Sequence, residues 1–132
     1  MKEDYVSFEI AKKLKEKGFR EECLSYYNKI GRLAKNGFTA EDGKYLEYDN
    51  FYACQNHFNA LYDAPTIAQV LKWLREVHKI HILIEYVFSE DTEYSCEVQL
   101  IGSYERYWPN GVFETYEQSA IAGIEYALDN LI

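Results

Sequence analysis

The most regular pattern of hydrophobic and polar positions lies in the middle of the chain. Thr66 followed by Gln69 fits a capping box, in which each side chain binds a backbone N–H group of the other residue at the start of a helix. Apolar residues then recur at steps of three and four, which predicts an amphipathic helix over residues 66–79. The predicted buried positions are Ile67, Val70, Leu71, Leu74 and Val77. Over residues 80–88 the period changes to two with both faces apolar, which predicts a strand near the centre of its sheet.

A first helix is predicted from signals at both of its ends. Ser7 is a suitable N-cap, and the apolar residues that follow it recur at helical spacing. Gly18 can adopt the left-handed conformation that ends many helices. Phe19 then stands where a Schellman motif would pack it on Leu14.

A last helix is predicted over residues 115–131, where Thr115 and Gln118 repeat the capping-box spacing. Its apolar face includes three small residues, Ala120, Gly123 and Ala127. Small side chains at these positions would allow the helix to approach a sheet closely. Before it, EYSCEVQLI alternates between apolar and polar residues and predicts an antiparallel strand with one polar face, which residues 104–108 would extend.

Residues 20–62 leave alternatives open. The apolar spacing between residues 23 and 34 permits a helix, whereas the tyrosines of CLSYY favour a strand, and we prefer a short strand. Residues 36–59 read as an irregular segment with one short strand near residues 45–48. The expected fold is therefore a single α+β domain of residues 1–132. Its core, residues 65–131, would hold an antiparallel sheet of three to five strands with two main helices on one face, and residues 1–62 would add the N-terminal helix and an irregular extension.

Composition and charge restrict the class of protein. Hydrophobic residues make up 48% of the 132 residues, enough to bury a core, and no run is long and apolar enough to span a membrane. The chain starts without the apolar stretch of a signal peptide, and three widely spaced cysteines suit reduced thiols, so we expect a cytoplasmic protein. Net charge is -8, and residues 37–132 carry sixteen acids against five bases. That surplus disfavours binding to nucleic acid or anionic lipid.

Four side chains have a zinc-like count and spacing. Cys54 and His57 are spaced C-x-x-H, and His78 and His81 are spaced H-x-x-H. One of the latter pair is predicted at a helix end and the other in a strand, so their rings need not converge. We expect ordinary partly buried residues here, with no metal and no other cofactor.

Nothing in the sequence identifies catalytic residues. Carboxylates such as Glu85 and Glu97 could be neighbours on adjacent strands, but acids on the polar face of a sheet explain them more simply. No nucleophile elbow, phosphate-binding loop or zinc-protease motif is present.

Tyrosine is the most unusual feature of the composition, with thirteen residues beside two tryptophans. Six aromatic residues fall in segments predicted to be exposed: Tyr45, Tyr48, Tyr52, Tyr104, Tyr107 and Trp108. Rigid amphipathic rings are favoured anchors of protein interfaces, and Glu105 and Arg106 would supply a polar rim. Packing in or around the core is the alternative explanation.

Two resemblances bear on origin and topology. The segments SFEIAKKLKEKGF, APTIAQVLKWLREVHKI and TYEQSAIAGIEYALDNLI resemble a family of small uncharacterised proteins from genomes and prophages of gut Bacteroides-type bacteria, which implies a mobile-element context. Residues 65–131 also resemble a double-stranded-RNA-binding domain in the order of their elements. That family holds phosphates with lysines at the start of its last helix, whereas residues 115–119 here are TYEQS, so the similarity is topological.

The function expected from these observations is a non-enzymatic interaction module that binds another protein through an acidic, tyrosine-rich surface. In one version its carboxylates mimic the phosphates of a nucleic acid. A homodimer is a further expectation. The alternatives are a nucleic-acid-binding module that uses the N-terminal lysines, Lys12, Lys13 and Lys15, and a small hydrolase or metal enzyme.

Overall fold

The computed structural model describes residues 4–35, 38–39, 45–46, 60–87, 93–109 and 111–132. Its helices there are α1 (Phe8–Glu16), α2 (Ile67–Val77) and α3 (Tyr116–Asn130). Its strands are β1 (Ser25–Asn28), β2 (Leu33–Lys35), β3 (Phe38–Thr39), β4 (Tyr45–Leu46), β5 (Ala60–Asp63), β6 (Ile80–Val87), β7 (Glu93–Leu100) and β8 (Arg106–Tyr107). The predicted α+β class is confirmed. The chain groups into an N-terminal unit, Tyr5–Pro65, and a C-terminal unit, Thr66–Ile132 with Met1–Asp4. The expectation of one domain stays a prediction.

The C-terminal unit is built on an antiparallel sheet in the order β6-β7-β8. Both α2 and α3 pack on β6, and α3 also packs on β7, so the two helices share one face as predicted. Ile82 and Val98 are paired across the sheet and are buried on that face. The prediction that β6 is central is wrong for the described strands, because β7 has neighbours on both sides and β6 pairs with β7 alone. Only Ile80 and Ile82 of this strand are buried, and the position of a strand in its sheet depends on pairing along its two edges.

Helix α2 starts at the predicted capping box. The Thr66 hydroxyl accepts a hydrogen bond from the Gln69 N–H, and the Gln69 side chain accepts one from the Thr66 N–H. The helix ends at Val77, two residues before the predicted end, and Lys79 takes the left-handed conformation with φ of 58° and turns the chain into β6. Val77 is consequently 55% exposed and not part of the core. Trp73, at 4% exposure, takes a buried place that the spacing did not predict.

Helix α3 is held close to the sheet by its small residues. Its N-cap is Thr115, whose hydroxyl accepts from the Gln118 N–H at 3.1 Å. The predicted capping box is incomplete, because the Gln118 side chain accepts from the Glu114 N–H and not from Thr115. All three small residues are buried, and a Cβ atom on Gly123 would lie 2.6 Å from Cγ2 of Ile82. The close approach predicted from the sequence is therefore confirmed.

The N-terminal unit packs α1 on an antiparallel sheet in the order β2-β1-β5. Its helix ends in the predicted Schellman motif, in which the Phe19 N–H donates to the Leu14 carbonyl at 2.9 Å and Gly18 has φ of 85°. The ring of Phe8 contacts the edges of Tyr27 and Tyr62 on the sheet. The preferred strand at CLSYY is confirmed as β1, and the short strand expected near residues 45–48 is β4, which pairs with β3. Strands β2, β3 and β5 were not predicted.

None of the helices in the described ranges is long and apolar enough to cross a membrane.

Candidate interaction surface

The segment that follows β7 forms a tight loop with Tyr104 at its tip. Gly102 has φ of 86°, which allows the reversal directly after the strand. The Leu100 N–H then donates to the Glu105 carbonyl at 3.4 Å, and the Glu105 N–H donates to the Ser103 hydroxyl at 3.1 Å. The loop is thus closed on both sides of Tyr104, whose side chain is fully exposed.

Arg106 joins this loop to the outer face of the sheet, the face that points away from α2 and α3. Its Nε lies 3.1 Å from a carboxylate oxygen of Glu97 on β7. Its Nη1 donates to the carbonyl oxygens of Ser103 and Glu105, at 3.3 and 3.1 Å. One guanidinium group therefore ties the loop to itself and to the neighbouring strand.

Tyr107 is half-buried and packs against both the sheet and α3. It pairs with Val98 in the sheet and its ring lies 5.5 Å from that of Tyr126 on α3, between centroids. Its hydroxyl donates to a carboxylate oxygen of Glu105 at 2.9 Å. That hydrogen bond raises the pKa of Tyr107, because a phenolate would lose the bond and face the carboxylate charge. Tyr107 therefore supports the loop, and its role as an interface anchor stays a prediction.

Trp108 completes the exposed aromatic pair. Its side chain is 66% exposed directly after β8, and the 100% exposed ring of Tyr104 lies in the loop before the same strand. Ile101, directly after β7, and Val112, before α3, are about half exposed. These two aliphatic residues were not predicted as part of an interaction surface, although each stands next to a glycine. We name Tyr104, Trp108, Ile101 and Val112 the aromatic surface.

Three predicted anchors are not placed by the structure. Tyr45 lies in β4, but its side chain and all of Tyr48 and Tyr52 lie outside the described part of the chain. They stay predictions.

Of the four zinc candidates, two lie within the described residues and two lie outside them. Cys54 and His57 lie outside the described residues. His78 is the C-cap of α2, where its ring meets that of Trp73 edge-on at 4.5 Å between centroids. His81 lies on β6 opposite Gln99. Within the described ranges, His, Cys, Asp and Glu side chains form no group of three that could hold a metal ion.

The carboxylates of Glu85 and Glu97 are not directly opposed. Glu85 is paired with Ser95 and Glu97 with Leu83, and the second carboxylate carries the ion pair with Arg106. The register thus offers no directly facing acid pair on these two strands. It favours the simpler interpretation of acids on the outer face of a sheet.

The basic run on α1 is partly engaged within the N-terminal unit. Lys15 is exposed, yet its ammonium donates to the Leu61 carbonyl at 3.4 Å and lies 5.4 Å from the centre of the Tyr62 ring. Lys13 is half-buried and Lys12 is exposed. The lysines therefore do not form one uniform solvent-facing row.

No protein-family model, curated protein or solved structure matches this chain.

Proposed function

We propose that this protein is a non-enzymatic interaction module that binds another protein through the aromatic surface and the acids around it. The observation that carries the proposal is the complete exposure of Tyr104 on a loop closed by hydrogen bonds. An aromatic ring on a soluble protein loses favourable burial when it is held in water, so an exposed ring on an ordered loop is characteristic of a contact surface.

The loop geometry favours binding, because the loop is already ordered and would lose little conformational entropy when a partner binds. Arg106 and the hydroxyl of Ser103 already hold the backbone, and Tyr107 is packed on Tyr126. Tyr and Trp side chains have only two rotatable bonds, so their immobilisation costs little entropy. Removing an anchor ring of this kind typically costs about 2 kcal/mol or more, a loss of roughly 30-fold in affinity.

Charge indicates the chemistry of the partner. Residues 66–132 carry eleven Asp and Glu against four Lys and Arg, and Glu105 is exposed inside the loop. A partner with a basic surface would be attracted over about 10 Å at 0.1 M salt. In the mimic version of the proposal, that partner is a DNA-binding protein whose phosphate-binding groups meet these carboxylates.

Partner capture from a bacterial lysate, with the full chain immobilised, tests the proposal. We expect the double variant Tyr104→Ala/Trp108→Ala to retain at least 30-fold less of the captured protein. The matched control is Tyr86→Ala, which removes another half-exposed ring of the same unit, one that lies 5.7 Å from Tyr94. Equal capture by the wild type and the double variant would overturn the proposal.

Salt separates the two versions of the proposal. If a captured complex survives about 0.5 M salt, its attraction is not mainly electrostatic and the phosphate-mimic version is wrong. The Bacteroides-type and mobile-element origin, and the cytoplasmic location, remain predictions that the partner's identity would also test.

A further inference from the structure

A separate pocket lies within the N-terminal unit, between the C-terminal half of α1 and the outer edge of β5. Its volume is about 330 Å³ and it opens to solvent. The described residues that line it are Ala11, Leu14, Lys15, Phe19, Arg20, Leu61, Tyr62 and Asp63. This size is at the lower end of the range for small-molecule sites.

The strand edge brings main-chain groups to the pocket side of β5. Tyr62 is paired with Tyr27, and the Ala64 N–H donates to the Ser25 carbonyl. The pairing register shifts between Tyr27 and Asn28, so Leu61 is the extra residue of β5 and has no paired residue on β1. Its carbonyl accepts a hydrogen bond from the Lys15 ammonium.

Positive charge exceeds negative charge in the pocket lining. Lys15 and Arg20 are both exposed, and Asp63 supplies the single carboxylate among the described lining residues. Lys15 is held in position by the Leu61 carbonyl and the face of Tyr62. Arg20 lines the same pocket as the buried Phe19, its neighbour in the chain.

The end of α1 nearby is closed by backbone hydrogen bonds. The carbonyl groups of Lys13, Leu14 and Lys15 accept hydrogen bonds from the N–H groups of residues 17–19. The Schellman closure thus satisfies the carbonyls that would otherwise carry the negative end of the helix dipole.

We propose that this pocket binds a carboxylate attached to an apolar group. Arg20 and Lys15 would hold the carboxylate, and Phe19, Leu14 and the Tyr62 ring would contact the apolar part. Two sources present this chemistry: a small aromatic or aliphatic acid, and the C-terminal residue of a polypeptide. The pocket is separate from the aromatic surface, so this proposal does not depend on the function proposed above.

NMR titration of the ¹⁵N-labelled full chain tests the proposal. The probes are N-acetyl-L-phenylalanine and an N-acetylated pentapeptide ending in phenylalanine, each compared with its C-terminal amide. We expect an acid form to shift the amide signals of Phe19, Leu61 and Tyr62, and the matching amide to bind about tenfold more weakly, because it lacks the charge. Arg20→Gln should weaken binding of the acid by about tenfold, and the exposed Arg32→Gln, a matched loss of charge in the same unit, should leave it unchanged.

The outcomes are distinct. Binding of the free acid without the peptide identifies a small-molecule carboxylate as the ligand, whereas binding of the peptide acid identifies a chain terminus. Equal affinity for acid and amide, or shifts away from α1 and β5, would overturn the proposal. Because Arg20 is exposed, we expect Arg20→Gln to retain the fold, and the variant's own amide spectrum checks this.

Discussion

Replacing Gly123 with alanine tests the packing of α3 on the sheet. At an uncrowded helical position this change stabilises a protein by about 1 kcal/mol, because alanine is the better helix former. Here the new methyl group would lie 2.6 Å from Cγ2 and 3.3 Å from Cδ1 of Ile82, well inside the 3.5–4.0 Å optimum for carbon contacts. Overpacking of this kind typically costs about 1–3 kcal/mol, so we expect Gly123→Ala to lower the free energy of unfolding.

A double-mutant cycle isolates the contact. Ile82→Ala removes both crowded atoms and should by itself cost about 2–5 kcal/mol, because Ile82 is buried. When Ile82→Ala is combined with Gly123→Ala, the new methyl group enters the space that the isoleucine leaves. The double variant should therefore lose about 1–3 kcal/mol less free energy of unfolding than the two single variants lose together. Ile82→Val is the matched control. It removes Cδ1 but keeps Cγ2, the nearer atom, and should give much less rescue.

Urea unfolding measures these differences. Tryptophan fluorescence reports the C-terminal unit, because Trp73 and Trp108 both lie in it, whereas circular dichroism reports both units. Coincident transitions would support the single-domain prediction, and separate transitions would contradict it. A neutral or stabilising Gly123→Ala, or strict additivity in the cycle, would refute the argument that α3 is held against Ile82.

Two other predictions concern the backbone turn and the pH dependence. Lys79→Gly should raise the free energy of unfolding by up to about 1 kcal/mol, because glycine takes the φ of 58° without strain. The control, Lys72→Gly within α2, should lower it by about 1 kcal/mol. A similar loss of stability in both variants would contradict the assignment of strain to Lys79. Desolvation raises the pKa of Tyr27 above 10.0, and the Tyr27 hydroxyl donates a hydrogen bond to the Val6 carbonyl. The stability that Tyr27 contributes should therefore be complete below pH 10 and should be lost as the pH rises through the pKa of Tyr27 in the folded state. Urea midpoints from pH 8 upward should therefore fall less steeply for Tyr27→Phe than for the wild type, and parallel profiles would exclude this contribution.

Local signals in the sequence predicted where the three helices begin and where α1 ends. Ser7, Thr66 and Thr115 act as N-caps, and Gly18 ends α1 in the expected motif, because such hydrogen bonds join residues only a few positions apart. The alternation of β7 likewise predicted its buried side. The small residues of α3 predicted its close packing, which depends on side-chain size alone.

The aromatic surface was predicted only in part. Tyr104 and Trp108 were selected because they fall between regular elements, and both are exposed. Tyr107 was selected by the same rule, but pairing with Val98 turns its ring toward Tyr126. Sequence spacing cannot separate these residues, because the face that a two-residue strand presents depends on its register with a neighbour.

The middle of the chain shows the same division between local and tertiary information. The sequence by itself determined that α2 begins at Thr66 and leads into an apolar strand, since capping and periodicity are properties of neighbouring residues. Only the tertiary structure decided that Lys79 ends the helical path, that Trp73 replaces Val77 in the core, and that β6 pairs on one side among the described strands. Those outcomes depend on contacts with residues distant in sequence, such as the hydrogen bond from the Ile101 N–H to the Lys79 carbonyl, and such contacts leave no periodic pattern in the chain.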